Sequence, residues 1–354
     1  MTELLEAPEL TILTGASGWF GRAYLAALAS GMDSDRVGPV RRGGRVRVLV
    51  PTPSDVPAVS EVSPHAEVHV GDVAEGGAVA RLFAGAEGAS VVHAAGVIHP
   101  KRVADFERVN TGGTITVLDA ARAARVRRMV HVSSNSPFGV NPTTEDVFRH
   151  DEPYRPYMGY GRSKMLAEQR VRDANDPGGL QTVVVRPPWF YGPWQPLRQT
   201  TFFRLVRTGR FPLMGDGRQR RSMVFVDNLV QGVALAERHP DAAGDAFWIA
   251  DARAYPMSEV LATVKRALAD EGFEVADRQI RLPAVAGKIA ERIDGVLQAR
   301  GIYHQEFHVL GEMDKTIACD IGHSQQVLGY APRVDLHAGM RESIRWCVER
   351  GVDI

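Results

Sequence analysis

Apolar segments of four or five residues alternate, along the first half of the chain, with longer segments of helical periodicity. The apolar segments are rich in β-branched residues, which is typical of strands buried on both faces. Between them lie an alanine-rich helix ending near Ser30, an amphipathic helix from about Ala104 to Ala124 and a helix that carries Tyr160. The predicted strands are Leu10–Thr14, Val46–Val50, Glu67–Val70, Ser90–His93, Arg128–Val132 and Gln181–Val185.

This alternation predicts the α/β fold class, with a doubly wound parallel sheet joined by right-handed crossovers and covered on both faces. Several predicted strands end in small or polar residues. Asp72 follows the third strand, residues 94–96 the fourth, Ser134 the fifth and Pro187 the sixth. Because ligands of such sheets bind beyond the carboxyl ends of the strands, these residues are predicted to share one cleft with the turn after the first strand.

The first predicted strand runs directly into a glycine-rich turn and then into a helix. Gly15 permits the tight turn, Gly18 lets the backbone approach a pyrophosphate, and Gly21 lets the helix lie close to the strand. The positive end of the helix then faces the phosphates. The predicted dinucleotide-binding residues of this turn are Gly15, Ser17, Gly18, Trp19, Phe20 and Gly21.

The acidic residue that selects the cofactor in many such proteins is missing after the second predicted strand. Pro51 and Thr52 stand where an Asp or Glu would bind the ribose hydroxyls. Four arginines near this point in the sequence either favour a 2′-phosphate or are solvated surface charges. They are Arg22, Arg41, Arg42 and Arg45.

Tyr160 and Lys164 are four residues apart on a predicted helix, so their side chains point into the same space. A phenol has an ordinary pKa of about 10, and a neighbouring ammonium favours the phenolate and lowers that value. The pair therefore has the chemistry of a general acid or base. Ser134 supplies a hydroxyl that can hold the same substrate oxygen.

Composition excludes several classes of function. The 42 basic and 42 acidic residues cancel, so no net charge draws the chain to nucleic acid or to an anionic membrane. No apolar run approaches the roughly 20 residues that span a bilayer. The first ten residues contain Glu3, Glu6 and Glu9 and do not resemble a signal peptide, and the two cysteines form no disulfide or metal pattern. We expect a reduced cytoplasmic protein that acts on a small molecule.

A series of modest motifs occurs in one order along nearly the whole chain. They are Thr14-Gly15-x-x-Gly18-x-x-Gly21, Gly71-Asp72-Val73, His93-Ala94-Ala95, Val109-Asn110-x-x-Gly113-Thr114, Ser133-Ser134, Tyr160-x-x-x-Lys164, Arg186-Pro187, Tyr191-Gly192-Pro193, Leu328-Gly329-Tyr330-x-Pro332 and Gly339-x-x-x-Ser343-Ile344-x-Trp346. In this order the chain resembles the extended short-chain dehydrogenase/reductases of the NAD-dependent epimerase/dehydratase group, with some features similar to 3β-hydroxysteroid dehydrogenases.

The resemblance implies a Rossmann-type sheet, NAD or NADP as cofactor with NAD favoured, and a homodimer formed through the helices that carry Asn110 and Tyr160. It also implies hydride transfer at a secondary alcohol or ketone, with Tyr160, Lys164 and Ser134 as the catalytic residues. Ser134 lies five residues before Gly139 and 26 before Tyr160, as this family requires, and Ser133 is the competing choice. The further cofactor-binding residues that it implies are Asp72, Val73, Ala94, Ala95, Gly96, Asn110, Tyr160, Lys164 and Pro187.

The resemblance also divides the chain. Residues 8–190 plus 223–250 are predicted to form the dinucleotide-binding domain. Residues 191–222 plus 251–335 are predicted to form a smaller α/β substrate-binding domain, which includes a helix near 201–208. Residues 336–354 are predicted to form a C-terminal helix.

Two substrate classes fit the later sequence. A nucleotide sugar is favoured by Arg221, which lies where related enzymes place a phosphate-binding arginine, and by Arg198 as a second candidate. The alternatives are that the Arg221 turn is a solvated loop and that the enzyme is a reductase or 3β-hydroxysteroid-type dehydrogenase for a less polar molecule. Trp189 favours this alternative if it stacks on the substrate or narrows the pocket, and the other interpretation of this residue is simple core packing.

Three other classes are less consistent with the sequence. Asn135-Ser136 replaces the Asp-Glu pair that follows the catalytic hydroxyl in 4,6-dehydratases. A cofactor sensor without catalysis disagrees with the intact Ser134, Tyr160 and Lys164. No metal site is predicted: His304 and His308 share a helix face, but no third ligand is evident, so packing or pocket lining is the interpretation.

Overall fold

The computed structural model describes residues 3–30, 34–38, 44–283 and 285–354. Its larger strands are β1 (Leu10–Thr14), β2 (Arg45–Val50), β3 (Glu67–Val70), β4 (Ser90–His93), β5 (Arg128–Val132), β6 (Gln181–Arg186), β7 (Trp189–Tyr191), β10 (Met223–Phe225) and β11 (Ala246–Trp248). Two-residue strands are β8 (Leu213–Met214), β9 (Arg220–Arg221), β12 (Tyr255–Pro256) and β13 (Arg281–Leu282).

Helices separate most of these strands. They are α1 (Trp19–Ser30), α2 (Ser34–Val37), α3 (Val56–Ser60), α4 (Gly76–Leu82), α5 (Gly113–Ala123), α6 (Met158–Asp173), α7 (Leu197–Arg207), α8 (Val226–Arg238), α9 (Met257–Asp270), α10 (Val285–Ala299), α11 (Gln305–Glu312), α12 (Gly322–Leu328) and α13 (Leu336–Glu349). Short 3₁₀ turns cover Pro53–Asp55, Ser136–Phe138 and Pro240–Ala242. Among the described residues, no helix has the length and apolar character needed to cross a bilayer.

Seven parallel strands form the central sheet in the order β11-β6-β5-β4-β1-β2-β3. The chain starts at β1, winds outward through β2 and β3, and then returns to the other side of β1 with β4. This reversal opens a crevice beside β1 at the carboxyl ends of the strands, where open α/β sheets bind ligands. The predicted doubly wound α/β fold and its six strands are confirmed.

Neighbouring residues of each strand serve opposite faces of the sheet. Leu13 and Val92 belong to a core shared with α1 and α8, whereas Ile12 and Val91 belong to a second core shared with α4 and α5. All four side chains are fully buried. Because both faces are covered, the central strands β1 and β4 are buried at every residue rather than alternating, which explains why they are visible in the sequence.

The helix predicted from Ala104 to Ala124 changes from π-helical to α-helical geometry along its length. A π-helical segment, Phe106–Gly112, comes first and α5 follows it. Gly113 begins α5 at a point where an added Cβ would lie 2.6 Å from Val73 Cγ1, so the helix passes close to the loop after β3. The π-helical turn, which is wider than an α-helical one, contains Asn110, and the Asn110 side chain is hydrogen-bonded to Ser163 of α6.

Residues outside the central sheet form a third apolar core. Its fully buried members include Tyr191, Phe203, Val260, Met340 and Ile344, from β7, α7, α9 and α13. The pairs β7–β10, β8–β13 and β9–β12 surround this core as three small sheets. The predicted helix near 201–208 is α7, which starts earlier, and α13 lies within the predicted C-terminal helix. The exact domain boundaries stay a prediction.

Candidate active site

The glycine-rich turn after β1 presses against the end of β4. Gly15 has a φ of +75°, and a Cβ at this position would lie 2.7 Å from the backbone of Ala94. Only glycine accepts both the left-handed conformation and this close approach. The Gly18 N–H donates to Gly15 O at 3.1 Å, and α1 begins at the next residue. The turn therefore brings the first turn of α1 into the crevice beside β1.

A cavity of about 870 Å³ occupies this crevice and extends toward the later part of the chain. Most of the site residues predicted from the sequence line it: Gly15, Ser17, Gly18, Trp19, Phe20, Gly21, Ala94, Gly96, Ser134, Tyr160, Lys164, Pro187, Trp189 and Arg221. Asp72, Val73, Ala95 and Asn110 do not line its walls. The predicted contribution of Arg198 rests on a side chain that lies outside the described residues.

The three candidate catalytic side chains reach this cavity from two elements. Tyr160 and Lys164 come from the first turns of α6, and Ser134 follows β5. The Lys164 ammonium is buried and donates to Val132 O at 2.7 Å. Burial lowers the pKa of Lys164 to about 8, against the opposing influence of Glu168. A lysine poised in this way is protonated at neutral pH and titrates within the range in which enzymes work.

The two serines after β5 have different partners. Ser133 donates its hydroxyl proton to the buried carboxylate of Glu168 at 2.7 Å. The Ser134 oxygen accepts from the Ser136 N–H at 3.2 Å and lies 3.3 Å from the Ser136 hydroxyl, at the cavity wall. Since the Ser133 proton is already held by a carboxylate, Ser134 is the better placed of the two to hold a substrate oxygen.

Glu168 also anchors the helix that carries Tyr160 and Lys164. It is fully buried and accepts from Arg186 Nε at 2.9 Å and Nη2 at 2.6 Å, and from the Tyr154 hydroxyl at 2.9 Å. The Arg186 guanidinium in turn lies over the Phe138 ring, 4.5 Å from its centroid. Sequence reasoning missed this group, although Glu168 follows Lys164 by four residues and so shares its helix face.

Two of the predicted cofactor residues have structural partners. Asn110 accepts from the Val97 N–H at 2.7 Å and donates to Val97 O and to Ser163 Oγ, each at 3.0 Å. It therefore fastens the loop after β4 to α6. Asp72 is partly buried, but hydrogen bonds from the Ala74 N–H and from Arg108 outweigh that burial and hold the pKa of its carboxyl below the ordinary value. Whether either residue contacts a cofactor stays a prediction.

Aromatic residues join the glycine-rich turn to the later part of the chain. The Trp19 indole N–H donates to Pro193 O at 2.7 Å, and its ring packs against Phe190 with centroids 4.7 Å apart. Arg22, one of the arginines considered for a 2′-phosphate, donates instead to Trp194 O at 2.8 Å. Arg41 and Arg42 lie outside the described residues. Trp19, Phe190 and Trp194 thus form an aromatic wall of the cavity next to the glycine-rich turn.

The far end of the cavity is closed by α11 and the residues after it. His308 lines the cavity and its Nδ1 lies 2.8 Å from Asp294 Oδ2, whereas His304 pairs with Glu306 at 3.0 Å. The pocket-lining interpretation of His308 is therefore confirmed. Arg221 is half-buried here and donates to Glu312 O. The sequence singled out His308 of α11, but the other residues of this helix that line the cavity, Gln305, Val309 and Glu312, were not predicted.

Comparison with known proteins identifies the group to which this site belongs. The model of the NAD dependent epimerase/dehydratase family matches residues 11–250. The chain belongs to this family. The predicted resemblance to extended short-chain dehydrogenase/reductases is thereby confirmed. The prediction of an NAD-dependent enzyme of the epimerase/dehydratase kind is confirmed as well.

Several known proteins are similar to the chain. Protein y4nL of Sinorhizobium fredii is 49% identical over 98% of this chain and 97% of its own length. The 4-hydroxy-2-methyl-3-oxo-4-farnesyl-3,4-dihydroquinoline-1-oxide ketoreductase of Stigmatella aurantiaca is 31% identical over 93% of this chain and 94% of its own. The structure of DesIV, a dTDP-glucose 4,6-dehydratase of Streptomyces venezuelae, matches 97% of this chain and 98% of its own with a TM-score of 0.73 at 24% identity.

Proposed function

We propose that the protein is an NAD(P)-dependent reductase or dehydrogenase that interconverts a ketone and a secondary alcohol on a largely apolar molecule. The observation that carries this proposal is the cavity, in which Ser134, Tyr160 and Lys164 adjoin a substrate end where apolar side chains outnumber polar ones. This is the second of the two substrate classes considered from the sequence. The nucleotide-sugar substrate remains a prediction that the side chains favour less.

The residues around the glycine-rich turn fit a dinucleotide. The backbone at Gly15 leaves no room for a side chain beside Ala94, and the start of α1 lies in the cavity wall. Gly15, Ser17, Gly18 and Trp19 would hold the pyrophosphate end, and Lys164 the nicotinamide ribose. When bound, the nicotinamide cofactor supplies hydride chemistry at the carbon that bears the substrate oxygen.

The protein side of the reaction is a proton transfer at that oxygen. Tyr160 gives its phenolic proton to the oxygen in the direction of reduction and takes it back in the direction of oxidation. The Lys164 ammonium favours the phenolate that remains, and Ser134 donates a hydrogen bond to the same oxygen. Because all three groups are held on α6 and at the end of β5, the site positions the substrate before any charge moves.

The walls of the substrate end support an apolar ligand. They include Trp189, Phe202, Phe211, Met214, Met257 and Met313. Arg221 is the cation that a nucleotide phosphate would need, but it donates to the Glu312 backbone and is balanced by the Glu312 and Asp314 carboxylates. A phosphate group would have to displace these partners, whereas an alkyl or terpenoid chain gains about 25 cal/mol for each Å² of apolar surface that it buries.

The Tyr160→Phe variant tests the proposed chemistry. We expect turnover to fall by several powers of ten, because the ring remains but the proton donor is lost. We expect the dissociation constant for the reduced cofactor to stay within about threefold, since no cavity is created. Steady-state rates and cofactor titrations measure the two quantities. The matched control is Tyr330→Phe, which removes a buried hydroxyl that donates to Ala250 O and does not line the cavity. Near-normal turnover of Tyr160→Phe would contradict the assigned role.

A further inference from the structure

A second polar cluster lies away from the cavity, at the edge of the central sheet. It consists of His150 from the loop before α6, Asp245 just before β11, and His323 near the start of α12. Each of the three offers one donor atom, and the three atoms lie within 4.8 Å of one another. His323 Nε2 is 2.7 Å from Asp245 Oδ2, and His150 Nε2 is 3.3 Å from Asp245 Oδ1. The catalytic cavity has none of these residues in its walls.

The hydrogen bond of His150 to the backbone directs its second ring nitrogen at Asp245. Its Nδ1 lies 3.1 Å from the Ala246 carbonyl oxygen, which can only accept, so this nitrogen carries a proton. The Nε2 atom then faces Asp245 Oδ1 at 3.3 Å. Either a second proton on His150 or a cation between the two atoms satisfies this contact, and only the cation also engages His323.

The dimensions of the cluster suit a small divalent ion. Zinc bonds to imidazole and carboxylate at about 2.0–2.2 Å, which places tetrahedral ligands roughly 3.3–3.6 Å apart. The distance of 3.3 Å from His150 Nε2 to Asp245 falls in this range, whereas the distance of 2.7 Å from His323 Nε2 to Asp245 is that of a hydrogen bond and would have to lengthen when an ion binds. The hydrogen bond from His150 Nδ1 to a backbone carbonyl is the usual support of a metal-binding histidine. Phe247 stacks on the His323 ring with centroids 5.4 Å apart and fixes its orientation.

We propose that His150, Asp245 and His323 bind one divalent transition-metal ion of the zinc class, with water completing the coordination. The side chains are 37%, 28% and 29% exposed, so solvent reaches the remaining position. Two imidazoles and one carboxylate are the ligand set that zinc, nickel and copper prefer over magnesium or calcium. The ion would fasten α12 and the loop before α6 to the edge strand β11.

Metal titration of the full-length protein tests the proposal. The protein is stripped with a chelator and titrated with Zn²⁺ by calorimetry and with Co²⁺ by absorption spectroscopy. We expect one Zn²⁺ per chain and a Co²⁺ spectrum of a site with mixed nitrogen and oxygen ligands. At a metal concentration 100 times the dissociation constant, the unfolding equilibrium should shift about 100-fold toward the folded state, seen as a higher Tm.

Single substitutions assign the site to these residues. His323→Ala and the nearly isosteric Asp245→Asn should each weaken Zn²⁺ binding at least tenfold and abolish the rise in Tm. His337→Ala is the matched control, because His337 makes a lone His–Asp pair with Asp270 at 2.8 Å. It should bind as the wild type does. Absence of stoichiometric binding by the wild type, or undiminished binding by Asp245→Asn, would overturn the proposal. If His323→Ala does not fold, the binding measurement on the nearly isosteric Asp245→Asn still tests the proposal.

Discussion

At the scale of single residues, the buried charge of Lys164 serves the proposed chemistry but lowers the stability of the fold. The residue is only 5% exposed, and its ammonium donates to the carbonyl of Val132 at 2.7 Å. Burial lowers its pKa from 10.5 to about 8, which means that the folded state binds the proton less tightly than the unfolded state does. The charge that the chemistry requires therefore destabilises the fold at neutral pH.

Lys164→Met should therefore be inactive but more stable than the wild type. The relief of the buried charge, reduced by the lost hydrogen bond to Val132, predicts a gain of roughly 1–2 kcal/mol in the free energy of unfolding at pH 7. Because the folded pKa is the lower one, wild-type stability rises between about pH 8 and pH 10.5, and the difference between the proteins should shrink over that range. Urea unfolding at several pH values measures this. The exposed Lys288→Met is the control, and a difference independent of pH would contradict the argument.

At the scale of elements, the attachment of α6 to the sheet decides the geometry of the site. Glu168 on α6 and Arg186 at the end of β6 form an ion pair in which both side chains are at most 1% exposed. The same carboxylate holds Ser133, directly before the proposed catalytic serine. One buried group thus fixes the helix that carries Tyr160 relative to the strand end that carries Ser134.

Glu168→Gln should destabilise the protein by about 3 kcal/mol, because it leaves the buried guanidinium without its counter-charge. Turnover should fall by more than cofactor affinity does, since α6 and the Ser133–Ser134 segment lose their common anchor. Chemical denaturation and steady-state kinetics check the two effects. Glu87→Gln is the matched control, because the Glu87–Arg125 pair is 67% and 75% exposed and its loss should have little effect on stability. Equal effects of both substitutions would refute the importance of burial.

The same elements explain what the sequence predicts well. The central strands are visible because burial on both faces makes them largely apolar, and the glycine-rich turn is visible because Gly15 must adopt a positive φ. The π-helical segment before α5 was not predicted, and it contains Asn110, whose contacts with Val97 and Ser163 have no counterpart in the local sequence pattern. Two-residue strands such as β8 carry no pattern at all.

At the scale of the whole molecule, the cavity joins parts of the chain that the sequence treats separately. The glycine-rich turn and α6 supply one end, and α7, α9 and α11 supply side chains of the other end. The proposed catalytic end could be predicted from the sequence because its residues sit in short local motifs. At the substrate end Trp189 and Arg221 were predicted and line the cavity, but most residues of the three helices were not, since an amphipathic helix shows which residues are apolar but not which of them face a ligand.

A homologous series of ketones should reveal the character of the substrate end. We expect kcat/KM to rise with alkyl chain length by up to about fourfold for each added methylene, which corresponds to about 0.8 kcal/mol of burial. The rise should stop when the chain fills the cavity. Ketones of equal length that end in a hydroxyl serve as controls and should gain less. Faster turnover of nucleotide sugars than of any ketone in the series would instead favour the epimerase interpretation.

The aromatic wall gives the protein an optical property. Trp19, Trp189 and Trp194 all line the cavity, and they are three of the five tryptophans in the chain. The fluorescence of these three indoles therefore originates at the wall of the cavity. A reduced nicotinamide bound there would absorb light in the region where indole emits. Occupancy of the site is therefore reported by quenching of the native emission, without any attached label.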